Sequence, residues 1–138
     1  MRLLLATAHL DLRLSLELLL SEQPGVEIVG AASECDGLVA LTRTTKPDII
    51  VTDWELPGRP LSPIIAAAHL FSPPPLTMVL LSENSSYQEA IESGADAVVE
   101  KGASPDVLLT TFQKLQRQFT RNQERTRYGL EQWTRPVL

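Results

Sequence analysis

The sequence predicts one α/β domain built around a five-stranded parallel sheet, with a helix after each strand. Three observations carry that expectation. Five short apolar runs recur along the chain, each followed by a helix-length segment, and such runs read as strands buried on both faces. Turn-forming residues stand in front of four of them, at Pro24-Gly25, Pro47, Pro73 to Pro75 and Gly94. The 138 residues suit a single domain, and 43% hydrophobic against 21% charged residues is an ordinary globular composition.

The first strand is Arg2–Ala6, with three consecutive leucines. In the first helix Leu12, Leu16, Leu19 and Leu20 keep an i, i+4, i+7, i+8 spacing, with Asp11 as the expected N-cap. Leucines from Leu10 to Leu18 also alternate with period two, as a strand would; the length of the segment and the Pro24-Gly25 turn decide for a helix. The second strand is Val26–Ala31. A second helix over Leu38–Thr45 is weakened by Thr42, Thr44 and Thr45. Asp48–Asp53 is the third strand, and Ser62-Pro63 reads as the N-cap and first residue of a short, Ala-rich third helix. Leu76–Ser82 is the fourth strand, and the fourth helix, Ser85–Ser93, is stopped by Gly94. After a fifth strand at Ala97–Val99, Ser104-Pro105-Asp106 opens the last helix with an N-cap, a first-turn proline and an acid at the positive dipole end. Leu108, Phe112, Leu115 and Phe119 lie on one face of that helix.

Several function classes fall away. The lone cysteine, Cys35, allows no intramolecular disulfide and no Cys-rich zinc site; it is expected in a loop, as a plain thiol. His9 and His69 read as structural, with no third ligand at metal spacing. No apolar run approaches the ~20 residues of a membrane span, and the N-terminus lacks the pattern of a signal peptide. The expectation is a soluble, cytoplasmic protein with no membrane partner.

In an open parallel sheet, ligands bind beyond the carboxyl ends of the strands. Those ends carry Thr7 and Ala8, then Asp53, then Ser82, then Lys101. Asp48 begins the strand that Asp53 ends, roughly 16 Å away at ~3.3 Å per residue, on the wrong edge. A carboxylate, a hydroxyl and an ammonium converging there suit acceptance and neutralisation of a phosphoryl group. The same spacing is also what a structural Asp–Lys ion pair capping the sheet would give.

At these positions the sequence resembles the receiver domain of response regulators. Asp53-Trp54-Glu55-Leu56-Pro57-Gly58 is similar to the D-x-x-[ML]-P-G signature of that family. Ser82 falls at its switch Ser/Thr, Lys101 at its lysine, and Glu92-Ser93-Gly94-Ala95-Asp96-Ala97 at its E-x-G-A-D-x stretch. Leu4-Leu5-Ala6 with His9 resembles the opening of the NarL-type subgroup, and the likeness covers residues 2 to about 117. It implies a flavodoxin-like, doubly wound sheet of order 2-1-3-4-5 with five helices. It also implies a two-component signalling module rather than an enzyme: a histidine kinase donates phosphoryl to Asp53, Lys101 and Ser82 contact it, and Mg²⁺ is held by Asp53 and the Glu55 backbone carbonyl.

The chain departs from the family where the metal would sit. Typical receivers carry two adjacent acids just after the first strand; here those positions are Thr7 and Ala8, and neither supplies a carboxylate. Mg²⁺ is usually anchored by carboxylates in near-octahedral oxygen ligation. Glu83 follows the switch serine, where a small residue is usual, and Val98 stands where a Tyr or Phe normally reports the state. The side chains of Glu83 or Glu55 are candidate substitute ligands. The leading expectation is thus an atypical receiver, weakly phosphorylated or not at all, acting through protein contacts. The rivals are an ordinary phospho-accepting receiver with substitute ligands, and a flavodoxin-like small-ligand binder. The last lacks a glycine loop after the first strand.

Charge divides the chain. From residue 112 onward six basic and two acidic residues give +4, leaving −9 on the rest of a chain whose net charge is −5. Residues 1–118 are read as the receiver and 119–138 as a basic extension, too short for a DNA-binding domain. Arg117, Arg121 and Arg125 form a helical stripe, expected to be a solvated helix extension or a homodimer contact through the last helix and tail. The acidic body argues against nucleic acid as a partner. Tyr128, Leu130 and Trp133 are candidate anchors of the tail.

Overall fold

A computed structural model describes residues 1–83 and 85–134, with side chains described through residue 127. Tyr128, Leu130 and Trp133, as anchors, lie outside the described side chains. The elements alternate strictly: β1 (Arg2–Ala6), α1 (Leu10–Ser21), β2 (Glu27–Ala32), α2 (Cys35–Thr45), β3 (Ile49–Asp53), α3 (Ser62–Ala68), β4 (Leu76–Leu81), α4 (Tyr87–Glu92), β5 (Ala97–Glu100) and α5 (Pro105–Thr134). All five strands are parallel, in the order β2-β1-β3-β4-β5, which is the flavodoxin-like arrangement expected. The order reverses between β1 and β3, and their carboxyl ends flank the crevice this creates.

Alternation along each central strand divides the core in two. Leu3, Leu5, Ile49, Val51, Met78 and Leu80 face the α1–α5 layer, where Leu16, Leu20, Phe112 and Leu115 are buried. Leu4, Ala6, Ile50, Val79 and Leu81 face the other layer, against Leu38, Leu61, Ile65 and Ala90. That two-sided burial is why the strands read as unbroken apolar runs.

The doubled leucine pattern of α1 also resolves. Leu16 and Leu20 are buried and Leu12 packs beside them, whereas Leu10, Leu14 and Leu18 are 51–68% exposed. Six leucines at every second position place two stripes on a helix turning 100° per residue, and only one faces the sheet.

Three local expectations are corrected. The N-cap of α1 is His9, not Asp11, which lies inside the first turn. Thr7 Oγ1 accepts the His9 N–H at 3.1 Å and turns the chain into the helix, so the helix starts before Asp11. In α3 the cap is Leu61, and Ser62 and Pro63 are the first and second helical residues. Leu61 is buried, its carbonyl accepts from Ile64 and Ile65, and Pro63 falls where an N–H has no helical partner anyway. Cys35 is not in a loop; it is the fully buried first residue of α2. Its N–H donates to the Pro57 carbonyl at 2.8 Å and its Sγ to the Arg59 carbonyl at 3.1 Å, which fixes the loop after β3.

Gly94 follows α4 with φ +105°, a backbone conformation in which any other residue is strained, and an added Cβ would meet His69 Cε1 at 2.5 Å and displace that ring. At the other end of the chain, α5 runs unbroken across residue 118, and Arg117, Arg121 and Arg125 lie on its outer part, all three exposed. No helix among the described residues is long and apolar enough to cross a membrane.

Candidate functional site

The sheet ladder sets the site. One hydrogen bond past each strand end carries the functional residues into place: Thr7 N to the Ala32 carbonyl (2.9 Å), Trp54 N to Leu80 (2.9 Å) and Lys101 N to Leu81 (2.8 Å). Asp53, paired across to Leu80, ends β3 with 1% of its surface exposed.

Asp53 is surrounded by groups of the chain itself. Its Oδ1 pairs with Lys101 Nζ at 2.7 Å and accepts the Glu55 N–H at 3.0 Å. Its Oδ2 accepts from Thr7 Oγ1 at 3.5 Å and lies 3.8 Å from His9 Nε2. A buried carboxylate needs such partners, because an unpaired charge in that setting costs several kcal/mol, on the order of the desolvation penalty.

Ser82 engages Glu55 in place of Asp53. Ser82 Oγ donates to Glu55 Oε1 at 2.5 Å, Ser85 Oγ donates to the same oxygen at 2.7 Å, and the two hydroxyl oxygens lie 2.9 Å apart. These two hydrogen bonds, Ser82 first and Ser85 second, hold the Glu55 carboxyl below its usual range, with smaller help from the Lys101 and His9 charges against desolvation.

The expected residues therefore fall into two neighbouring groups. Asp53, Lys101 and the Glu55 main chain meet directly. Ser82 joins them through the Glu55 side chain. Thr7 reaches Asp53 with a hydroxyl, and Ala8 is exposed. Glu83 is exposed in the turn after β4. Val98 is half-buried in β5 and packs on the α2–α3–α4 side of the sheet. Among the described residues no group of three or more His, Cys, Asp or Glu side chains is placed to hold a metal ion.

Sequence reasoning misses two participants. It reads His9 as structural, yet His9 caps α1 and brings its ring towards Asp53. It reads Ser85 only as a helix start. The i, i+3 spacing of Ser82 and Ser85, closed by a Ser85 N–H to Ser82 carbonyl bond of 3.1 Å, is the available signal.

No protein-family model matches the chain. A protein-glutamate methylesterase/protein-glutamine glutaminase from Geobacter metallireducens is 28% identical over 101 residues, covering 69% of this chain. The match spans only 28% of that relative's length. Among solved structures, a two-component response regulator of the LuxR family from Aurantimonas sp. superposes with TM-score 0.74 at 25% identity, covering 83% of each chain. The response regulatory domain of mrkE from Klebsiella pneumoniae gives TM-score 0.80 at 18% identity over 88% of this chain and 99% of that one. The isolated REC domain of RcsB from Salmonella enterica, solved with a beryllofluoride phosphomimetic, gives 0.77 at 19% over 85% and 88%.

Proposed function

We propose that this response-regulator receiver domain of the two-component type is an atypical one, which signals through protein contacts with little or no Mg²⁺-dependent phosphorylation of Asp53. The observation that carries this reading is the state of the Asp53 carboxylate. Each of its oxygens already has partners from the chain, and the corner beside Oδ2 holds the Thr7 hydroxyl. A divalent ion placed there would have to find carboxylate oxygens, and the donor set does not fit. Thr7 and Ala8 have none to give, and the Glu55 carboxylate is turned to Ser82 and Ser85. A metal at the developing charge lowers the barrier to phosphoryl transfer by several kcal/mol, so its loss slows transfer by about a thousandfold.

The Asp53–Lys101 pair is retained, and in this reading it serves as a fixed ion pair that stiffens the rim. The partner is a signalling protein, a histidine kinase or another, that reads the domain's surface. The arginines of α5 are the candidate contact for a second copy. The compartment that goes with this reading is the cytoplasm, where two-component modules act.

The test is intact-mass detection after incubation with a small phosphoryl donor and millimolar Mg²⁺. The wild-type chain stays unmodified, and the Thr7→Asp/Ala8→Asp double variant gains one phosphoryl group that Asp53→Asn abolishes. Stoichiometric modification of wild-type Asp53 overturns the reading in favour of an ordinary phospho-accepting receiver.

A further inference from the structure

We infer that the Glu55 carboxylate is the resident anion of this site: it straps the loop after β4 over the Asp53–Lys101 pair and occupies the two hydroxyls that an incoming oxyanion would need. The inference deepens the proposal above and rests on the reading of Asp53 as a poorly phosphorylated carboxylate.

Proton counting makes the case. A serine hydroxyl has one proton to donate. Ser82 Oγ and Ser85 Oγ lie 2.5 and 2.7 Å from the same oxygen, Glu55 Oε1, and 2.9 Å from each other, so their two protons are used up within this triangle whether both go to Glu55 or one serine donates through the other. Neither retains a proton for another acceptor while Glu55 stays. Two hydroxyls converging on one point are a small oxyanion-binding pair, and hydrogen bonds to a charged acceptor are the stronger kind. Here the anion is supplied by the chain.

Glu55 is also tied at its other end. Its N–H donates to Asp53 Oδ1 at 3.0 Å. One residue thus joins the loop after β3 to the loop after β4, beside the Asp53 carboxylate. The effect reaches α4, because Ser85 closes the turn on Ser82 and the next residue, Ser86, caps the helix by accepting the Glu89 N–H at 3.2 Å. A phosphoryl group on Asp53 would meet a second negative charge, and would find both hydroxyls already engaged. The position of the loop and of the start of α4 is therefore set by Glu55 and not by phosphorylation.

Amide hydrogen exchange of the full chain, read on peptides covering residues 82–90, tests this. In the wild type these amides exchange slowly, and adding Mg²⁺ with beryllofluoride changes nothing. In Glu55→Ala they exchange at least about tenfold faster, in Glu55→Gln by an intermediate factor, and β3 and β4 amides keep their protection in all three. Unchanged exchange in Glu55→Ala, or wild-type exchange that slows on adding beryllofluoride, overturns the inference. The mass experiment reports separately: wild-type phosphorylation together with faster exchange in Glu55→Ala overturns the atypical-receiver reading and supports the strap.

Discussion

Asp48 and Asp53 bracket the same strand, and their partners differ in kind. At the base of the sheet Asp48 accepts the Arg2 N–H at 2.7 Å, and Asp96 accepts the Thr77 N–H at 2.8 Å, with the Thr77 hydroxyl at a longer 3.4 Å. Both also continue the ladder with their own main chain: Asp48 N bonds Arg2 O at 2.8 Å and Asp96 N bonds Thr77 O at 3.0 Å. At the rim Asp53 depends on the Lys101 ammonium, the Thr7 hydroxyl and one amide. Main-chain donors are fixed by the sheet and ask only for an acceptor oxygen. Side-chain donors can exchange partners and respond to charge. The base carboxylates are accordingly splints between strands, and the rim carboxylates are where charge is handled.

The largest effect that tests this contrast is the loss of the rim cation. Lys101→Met leaves Asp53 almost wholly buried with the Glu55 amide, the Thr7 hydroxyl and the more distant His9 ring. Removing one partner of a buried pair costs about 3–5 kcal/mol; the partial exposure of Lys101 puts the expected loss near the lower figure, about 3 kcal/mol. Urea unfolding measures it, and adding Asp53→Asn to Lys101→Met recovers part of the loss. A cost below about 1 kcal/mol, the level of an exposed pair, would place the rim on the same footing as the base and erase the distinction.

How much of this is legible in the sequence follows from the range of the interactions involved. The strands are legible because burial on both faces writes an unbroken apolar run, and the order of their ends then locates Asp53, Ser82 and Lys101. Helix starts are less legible. The start of α1 is set by the Thr7 hydroxyl on the His9 N–H and that of α3 by burial of Leu61, and neither shows in the local pattern around Asp11 or Ser62. Cys35 looks like a loop residue among Ser33, Glu34 and Asp36, but its place is dictated by Pro57 and Arg59, more than twenty residues away. The Glu55 strap is hidden for the same reason. It spans two loops, and a carboxylate next to a signature motif gives no local sign of which hydroxyls it will meet.

A smaller effect separates the two ends through the acceptor itself. Asp48→Asn and Asp96→Asn keep an oxygen for the Arg2 and Thr77 amides, so each costs under about 1 kcal/mol; Asp96→Ala leaves the part-buried Thr77 amide without its acceptor and costs about 1–3 kcal/mol, and Asp48→Ala, where water reaches the exposed Arg2 amide, costs about 1 kcal/mol. Urea midpoints for the four variants give the comparison. An asparagine variant as damaging as its alanine counterpart would show that charge matters at the base too.

The smallest effect is read against pH. Desolvation pushes the Asp96 carboxyl above its ordinary value of 3.8, against the opposing pull of the Thr77 hydrogen bonds and the His69 charge. Below 3.8 the folded and unfolded chains both hold the proton. Above it the unfolded chain releases the proton first, so the folded state binds more, and stability falls as pH rises until the folded group has also ionised. Asp96→Asn lacks this slope. Glu55, whose carboxyl is lowered, contributes the opposite slope, present above its unfolded value and lost as pH falls, but equally in both proteins. The stability of Asp96→Asn minus that of the wild type should therefore climb with pH from about 3.8 upward and then level off, a shape that urea titrations at a series of pH values resolve. A difference that is flat, or that falls with rising pH, would mean the Thr77 amide favours the charged carboxylate strongly enough to outweigh desolvation, and Asp96 would then belong with Asp53 as a carboxylate held for its charge.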